Sequence, residues 1–247
     1  MSKSKTKTTD KPTEKKQKKV AIIGFAPHRV LAPYMDESFE IWGLNDLYEH
    51  LPRWTRWFDV HDRVIYKLDE TYVTRKDGKP HVQRLKELNC PVYMAKQYED
   101  IPNSVRFPIE EAVEYFKTRY FTNTISMMIA LAVMEEFEVI HVYGVDMAVG
   151  TEYENQRSSC EYFLGFARGK GIEVYMPPES DLLQTAFIYG FEDEQRSAYE
   201  AKLDAIIKGM EERKTHADNV IAHQTAVSNQ YLGAISAAKD IKRVRII

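Results

Sequence analysis

Between Lys19 and about Pro178, short apolar, β-prone runs alternate with helix-patterned segments, and this alternation limits the possible folds more than any other feature. The runs are Val20 to Gly24, Glu40 to Leu44, Arg56 to Val60, Pro91 to Met94, Val139 to Gly144 and Glu173 to Met176. Strands covered on both faces read as continuous apolar stretches, and parallel neighbours need a crossover segment between them. The expectation is an α/β fold, a Rossmann-like, mainly parallel sheet with flanking helices.

The best helix is "TNTISMMIALAVMEEF", where Thr122, Asn123 or Thr124 can cap the start. Ile125, Met128, Ile129, Ala132 and Val133 then recur at helical spacing. A second helix, from about Glu154 to Arg168, ends at "GKG" before the Glu173 run, as a glycine stop predicts. After Pro178 the pattern changes. Residues 193 to 242 contain no proline, and apolar residues from Tyr199 through Leu203, Ile206 and Met210 to Ala238 fall on alternating steps of three and four. This predicts a C-terminal helical extension, either a coiled coil or a hairpin bent at Gly209 or at "THADN", with homo-oligomerisation as its use. Arg213 and Gln224 interrupt the seam.

Residues 1 to 19 hold eight lysines against Asp10 and Glu14, which leaves an acidic body within an overall net charge of −3. Such a stretch cannot offset the entropy of ordering, so residues 1–18 are expected to be a disordered basic tail. Two uses stay open, a solubilising leader and contact with nucleic acid or another polyanion. The remaining chain divides into a nucleotide-binding domain at 19–190 and the helical extension at 191–247. Cys90 and Cys160 each stand alone, without metal or disulfide spacing. No apolar run approaches the roughly 18 residues of a membrane span, and no signal peptide is visible. The expected setting is cytoplasmic.

In an open parallel sheet, ligands bind beyond the carboxyl ends of the strands. Asn45, Asp46, Asp59, His61, Asp146 and the loop after Gly24 all fall at or just past the ends of runs, so one fold brings them to one rim. Any single Asp or Asn there is explained by turn chemistry; repetition over four strands points to a site. "GFAPHR" is neither a Gly-x-Gly-x-x-Gly fingerprint nor a P-loop, but it offers His28 and Arg29 to a phosphate. "YFTNTIS" gathers Thr122, Asn123, Thr124 and Ser126 at a helix start, equipment for a phosphate or sugar as well as for capping. In "WFDVHDR", His61 stands close to Asp59, the pattern of a general base oriented by a carboxylate and equally of a surface turn. Tyr153 and Gln156 follow Asp146 on the same rim and suit a base or sugar. Ser158 and Cys160 form no hydrolase motif, and the pattern calls for no metal or cofactor.

Four features, "IIGFAP", "GLND", "TNTISMMIALAV" and "VIHVYGVDM" with its following Tyr and Gln, resemble a Rossmann-like group of proteins. That group includes bacterial sialyltransferase-type glycosyltransferases and related uncharacterised proteins common in bacteriophages. The resemblance spans residues 20 to 183. It implies nucleotide binding by Gly24, Asn45, Thr124 and Ser126, with Asp146 on the same rim and a histidine as base. The chain departs from the group in that its first loop lacks the fuller Gly-Asn-Gly-type sequence and no histidine follows the Asp146 strand, which leaves His61 as the substitute candidate.

Two functions follow as expectations. One is a nucleotide or nucleotide-sugar-binding protein acting as a glycosyltransferase by direct displacement. The alternative is a non-catalytic phage assembly or host-interaction protein that keeps the fold without turnover.

Overall fold

The computed structural model describes residues 17–65, 78–147, 154–185 and 188–244. Seven strands form one sheet: β1 (Lys19–Ile23), β2 (Phe39–Leu44), β3 (Arg56–Asp59), β4 (Val92–Met94), β5 (Ser104–Arg106), β6 (Val139–Tyr143) and β7 (Glu173–Tyr175). Every pair is parallel, and the order is β5-β4-β3-β2-β1-β6-β7. The α/β Rossmann-like class is therefore as the apolar runs predict. Among the described residues the α-helices are α1 (His81–Glu87), α2 (Ile109–Phe116), α3 (Thr124–Met134), α4 (Glu154–Gly169) and α5 (Glu192–Val244).

The chain moves outward from β1 to β2 on one side and later returns to place β6 on the other. The β1/β6 seam is thus the switch point of the sheet, the place beyond the strand ends where open parallel sheets take their ligands. Val20 to Ile23 are fully buried, as a central strand requires. α3 is apolar almost all round and buried from Met128 to Val133, which fits a helix enclosed on every side. Asn123 starts it by accepting from Ser126 N–H at 2.8 Å. At the opposite, amino edge, Arg56 ties β3 to β2 and to the end of α3. It pairs with Glu40 at 2.8 Å and Glu135 at 2.7 Å while lying over Trp42. No helix among the described residues is long and apolar enough to cross a membrane.

The chain divides into two compact units, Met1–Gln184 and Thr185–Ile247. α5 runs unbroken for 53 residues, so neither Gly209 nor residues 215 to 219 make the bend that a hairpin needs.

Candidate functional site

Two histidine–carboxylate pairs stand beyond the strand ends. In the first, β3 ends at Asp59, whose side chain is only 1% exposed. Its Oδ1 lies 2.8 Å from His61 Nδ1 and its Oδ2 lies 2.5 Å from His81 Nε2, at the start of α1. The other ring nitrogen of His81 is 2.6 Å from Tyr48 Oη, in the turn after β2. A carboxylate only accepts, so both rings donate to it, and a singly protonated His81 accepts from the Tyr48 hydroxyl. The four groups form one line, Tyr48–His81–Asp59–His61. Burial works against the Asp59 charge, but hydrogen bonds from His61 and His81 outweigh it and hold the carboxyl below its ordinary value. His61, one-third exposed, is pushed above its ordinary value by the Asp59 hydrogen bond, with burial opposing and the carboxylate charge assisting.

The second pair answers why a carboxylate follows β6. His28 is buried, and its Nδ1 accepts from Gly144 N–H at 3.0 Å, so the proton sits on Nε2. Nε2–H donates to Asp146 Oδ1 at 2.6 Å, while the Asp146 side chain keeps 36% exposure. Both His28 nitrogens are thereby engaged. The ring that the sequence offers to a phosphate instead ties the β1 loop to the end of β6.

Gly24 and Gly144 lie face to face across that seam. A Cβ on either would collide with the other's carbonyl oxygen, and Gly144 also holds φ at +69°. Gly24 N–H donates to Tyr143 O at 2.7 Å and Ala26 N–H to Gly144 O at 2.8 Å. The close approach that Gly24 permits is that of the neighbouring strand. Arg29 turns its guanidinium onto Phe25 O at 2.7 Å, which closes the β1 loop on itself.

Asn45 follows β2 with φ at +49°, a left-handed conformation that asparagine tolerates. Its N–H donates to Phe58 O at 3.0 Å, so it sits beside Asp59 on the neighbouring strand. Its carbonyl oxygen takes the Trp57 indole N–H at 2.9 Å. The side-chain Oδ1, however, is buried with no hydrogen-bond partner among the described residues. Such an orphan acceptor is costly and calls for an explanation.

The hydroxyl cluster at the α3 start is largely committed to packing. Thr122 Oγ1 lies 2.6 Å from Ser159 Oγ on α4, and Ser126 Oγ–H donates to Asn123 O at 2.7 Å. Asn123 Nδ2–H donates to the backbone oxygen of Gln156 at 2.9 Å, joining α3 to α4. Among the described residues no such partner takes the hydroxyl of Thr124, the half-buried first residue of α3. Tyr153 lies outside the described residues.

The topology therefore brings Gly24, Asn45, Asp59, His61, Thr124 and Asp146 to the carboxyl edge of one sheet. Sequence reasoning did not single out His81 or Tyr48. The signal for His81 was a histidine directly after Pro80, on the same helical face as Leu85 and Leu88; a buried ring there must find a partner. Among the described residues, no cluster of three His, Cys, Asp or Glu side chains is disposed to hold a metal ion.

No protein family model and no curated protein sequence matches the chain. Solved structures of the sialyltransferase CstII are similar to it. The Campylobacter jejuni enzyme with the substrate analogue cytidine-5'-monophosphate is 16% identical at a TM-score of 0.43, over 66% of this chain and 81% of that one. Its complex with CMP-3FNeuAc is 16% identical at 0.42, covering 66% and 82%. CST-II with a trisaccharide acceptor and CMP is 15% identical at 0.42, over the same shares. The fold class rests on the sheet described above.

Proposed function

We propose that the chain binds a nucleotide sugar at the carboxyl edge of its sheet and transfers the sugar to an acceptor hydroxyl by direct displacement. The observation that carries this reading is a juxtaposition on two adjacent strand ends. Asn45, next to Asp59 across the strand ends, carries a side-chain Oδ1 that is buried and unpaired among the described residues, and Asp59 holds the His61 ring. An orphan acceptor suits a donor group of the ligand, and a carboxylate-held imidazole suits a general base.

In the step itself, Asp59 fixes His61 with Nδ1 protonated, so Nε2 is the nitrogen that carries the lone pair. Nε2 takes the acceptor's hydroxyl proton as the acceptor oxygen bonds to the anomeric carbon. The bond from that carbon to the donor's phosphate oxygen breaks, and the nucleotide leaves with the electron pair. The raised affinity of His61 for a proton makes it a stronger base for this transfer. The N-terminus of α3 and Thr124 supply N–H and hydroxyl donors on the same edge for the departing phosphate. The exposed oxygen of Asp146, oriented through His28, is suited to accept from a sugar hydroxyl.

Isothermal calorimetry with nucleoside mono-, di- and triphosphates and common nucleotide sugars tests the reading. Saturable heat with at least one of them is expected, with affinity weakened several-fold in Asn45→Gly. No heat at millimolar ligand across the panel would overturn it.

A further inference from the structure

α5 presents an apolar face that no described residue of its own unit covers. From Leu203 to Ile241, steps of three and four residues land on apolar side chains at every position except Arg213 and Gln224. A strict seven-residue repeat on a helix defines a straight seam and imposes a left-handed supercoil. Most of the large side chains along it are exposed, among them Met210, Val220 and Tyr231.

The seam is wider than two strands require. Immediately after the seam residues Ile206, Val220 and Ala234 come Ile207, Ile221 and Ile235, at 53%, 63% and 51% exposure. These occupy a flanking heptad position that in two-stranded coils usually carries the charges of interhelical ion pairs. Charge is nearly cleared from both flanks. Between Ile207 and Ala237 the flanking positions hold Gly209, His216, His223, Ser228 and Gln230, and Lys214 is their one formal charge. Lys214 pairs with Asp218, four residues on, at 2.7 Å. Asp204, Lys208, Glu211, Glu212, Asp218 and Asp240 instead fall on the outer positions. An apolar face of three positions in seven, with polar residues opposite, belongs to helices packed against more than one neighbour.

We infer that α5 associates with the α5 helices of at least two further copies of this chain in a left-handed bundle. An identical helix offers a seam of the same length and repeat, and in-register copies bring each Arg213 and Gln224 to the same level, where polar seam residues fix register. The seam is about 58 Å long at 1.5 Å per residue, and with a helix diameter of about 11 Å one neighbour covers roughly 600 Å². That falls short of the roughly 800 Å² per partner of a standard stable interface, whereas two neighbours exceed it.

Sedimentation equilibrium of the full-length chain at tens of micromolar decides the matter. The expected mass is three or more times the 28.8 kDa of one chain. The triple variant Ile207→Lys, Ile221→Lys, Ile235→Lys should lower that mass. Thr215→Lys, Ala222→Lys, Asn229→Lys, which adds the same charge on the outer positions, should leave it unchanged and so controls for charge and for folding. A wild-type mass of one or two chains overturns the inference. So does an unchanged mass in the isoleucine variant, or an equal loss in the outer-face variant.

Discussion

Asp59 Oδ2 and His81 Nε2 lie 2.5 Å apart although 22 residues separate them in sequence. The contact joins the end of β3 to the start of α1, and through Tyr48 it reaches the turn after β2. One buried carboxylate thus organises three polar groups from separate segments. An unpaired buried charge is expensive, and here two imidazole donors compensate it. Asp59→Ala is predicted to destabilise the chain by about 3–5 kcal/mol, the cost of breaking a buried pair. Urea unfolding of wild type and variant at neutral pH measures this. A loss under about 1 kcal/mol would show that the two histidines re-pair elsewhere.

The Asp59–His61 pair makes stability depend on pH with a definite sign. His61 binds its proton more tightly when folded, so its contribution is complete below its ordinary value near 6.5 and fades as pH rises through the raised one. Asp59 is shifted downward, so its contribution is complete above its ordinary value of 3.8 and fades as pH falls through the lowered one. The pair is therefore most effective between these two limits. Wild type should exceed His61→Ala in urea midpoint at pH 6, with the gap narrowing towards pH 9. A gap that is constant across this range would remove the ion pair as its source.

At the switch point, the prediction concerns backbone space. Gly24→Ala and Gly144→Ala both drive a Cβ into the opposing carbonyl, an overpacking that costs about 1–3 kcal/mol. Gly144 also needs φ at +69°, which adds roughly 1 kcal/mol for any residue with a Cβ. Gly144→Ala should thus be the less stable of the two by thermal unfolding. Equal midpoints would show that the left-handed conformation is relieved by a local shift.

Much of this frame was legible in the sequence. Central strands carry continuous apolar runs because both of their faces are buried, so β1, β2, β3 and β6 announced themselves. β5 was not legible: of Ser104, Val105 and Arg106 only the serine is buried, as befits a three-residue edge strand. The Asp59–His61 contact was readable from spacing alone, since two residues past a strand end keep the pair within reach. His28–Asp146 was not, because 118 residues separate them and only the β1/β6 pairing closes that distance. The hydroxyls of Thr122 and Ser126 looked like ligand donors in sequence. Which of them a neighbouring helix would occupy depended on where α4 packs.

Among the described residues the buried Gly144 N–H donates to His28 Nδ1 alone, and the prediction follows from that bond. His28→Phe preserves a ring of similar bulk but leaves the amide orphaned, at about 1–3 kcal/mol. Hydrogen exchange at the Gly144 amide should accelerate in this variant, while the central β1 amides change only by the loss of global stability. Unchanged protection at Gly144 would mean that another acceptor takes its place.

Asn45 offers the sharpest separation of stability from function. Its Oδ1 is buried without a partner, so the unliganded fold bears the desolvation of that atom with nothing in return. Its left-handed φ of +49° is one that glycine adopts without strain. Asn45→Gly therefore removes the orphan acceptor and keeps the turn. The gain from deleting the unpaired group is about 1–3 kcal/mol, against roughly 0.5–1 kcal/mol for the freer unfolded chain. The unliganded variant should be at least as stable as wild type. Nucleotide-sugar affinity should fall by about twofold to about tenfold, the worth of one hydrogen bond of about 0.5–1.5 kcal/mol. Thermal unfolding with and without the ligand found by calorimetry reads both quantities together, because a ligand of the native state raises the midpoint by mass action. A variant that loses stability and keeps its ligand-induced shift would assign Asn45 to the turn alone and remove it from the site.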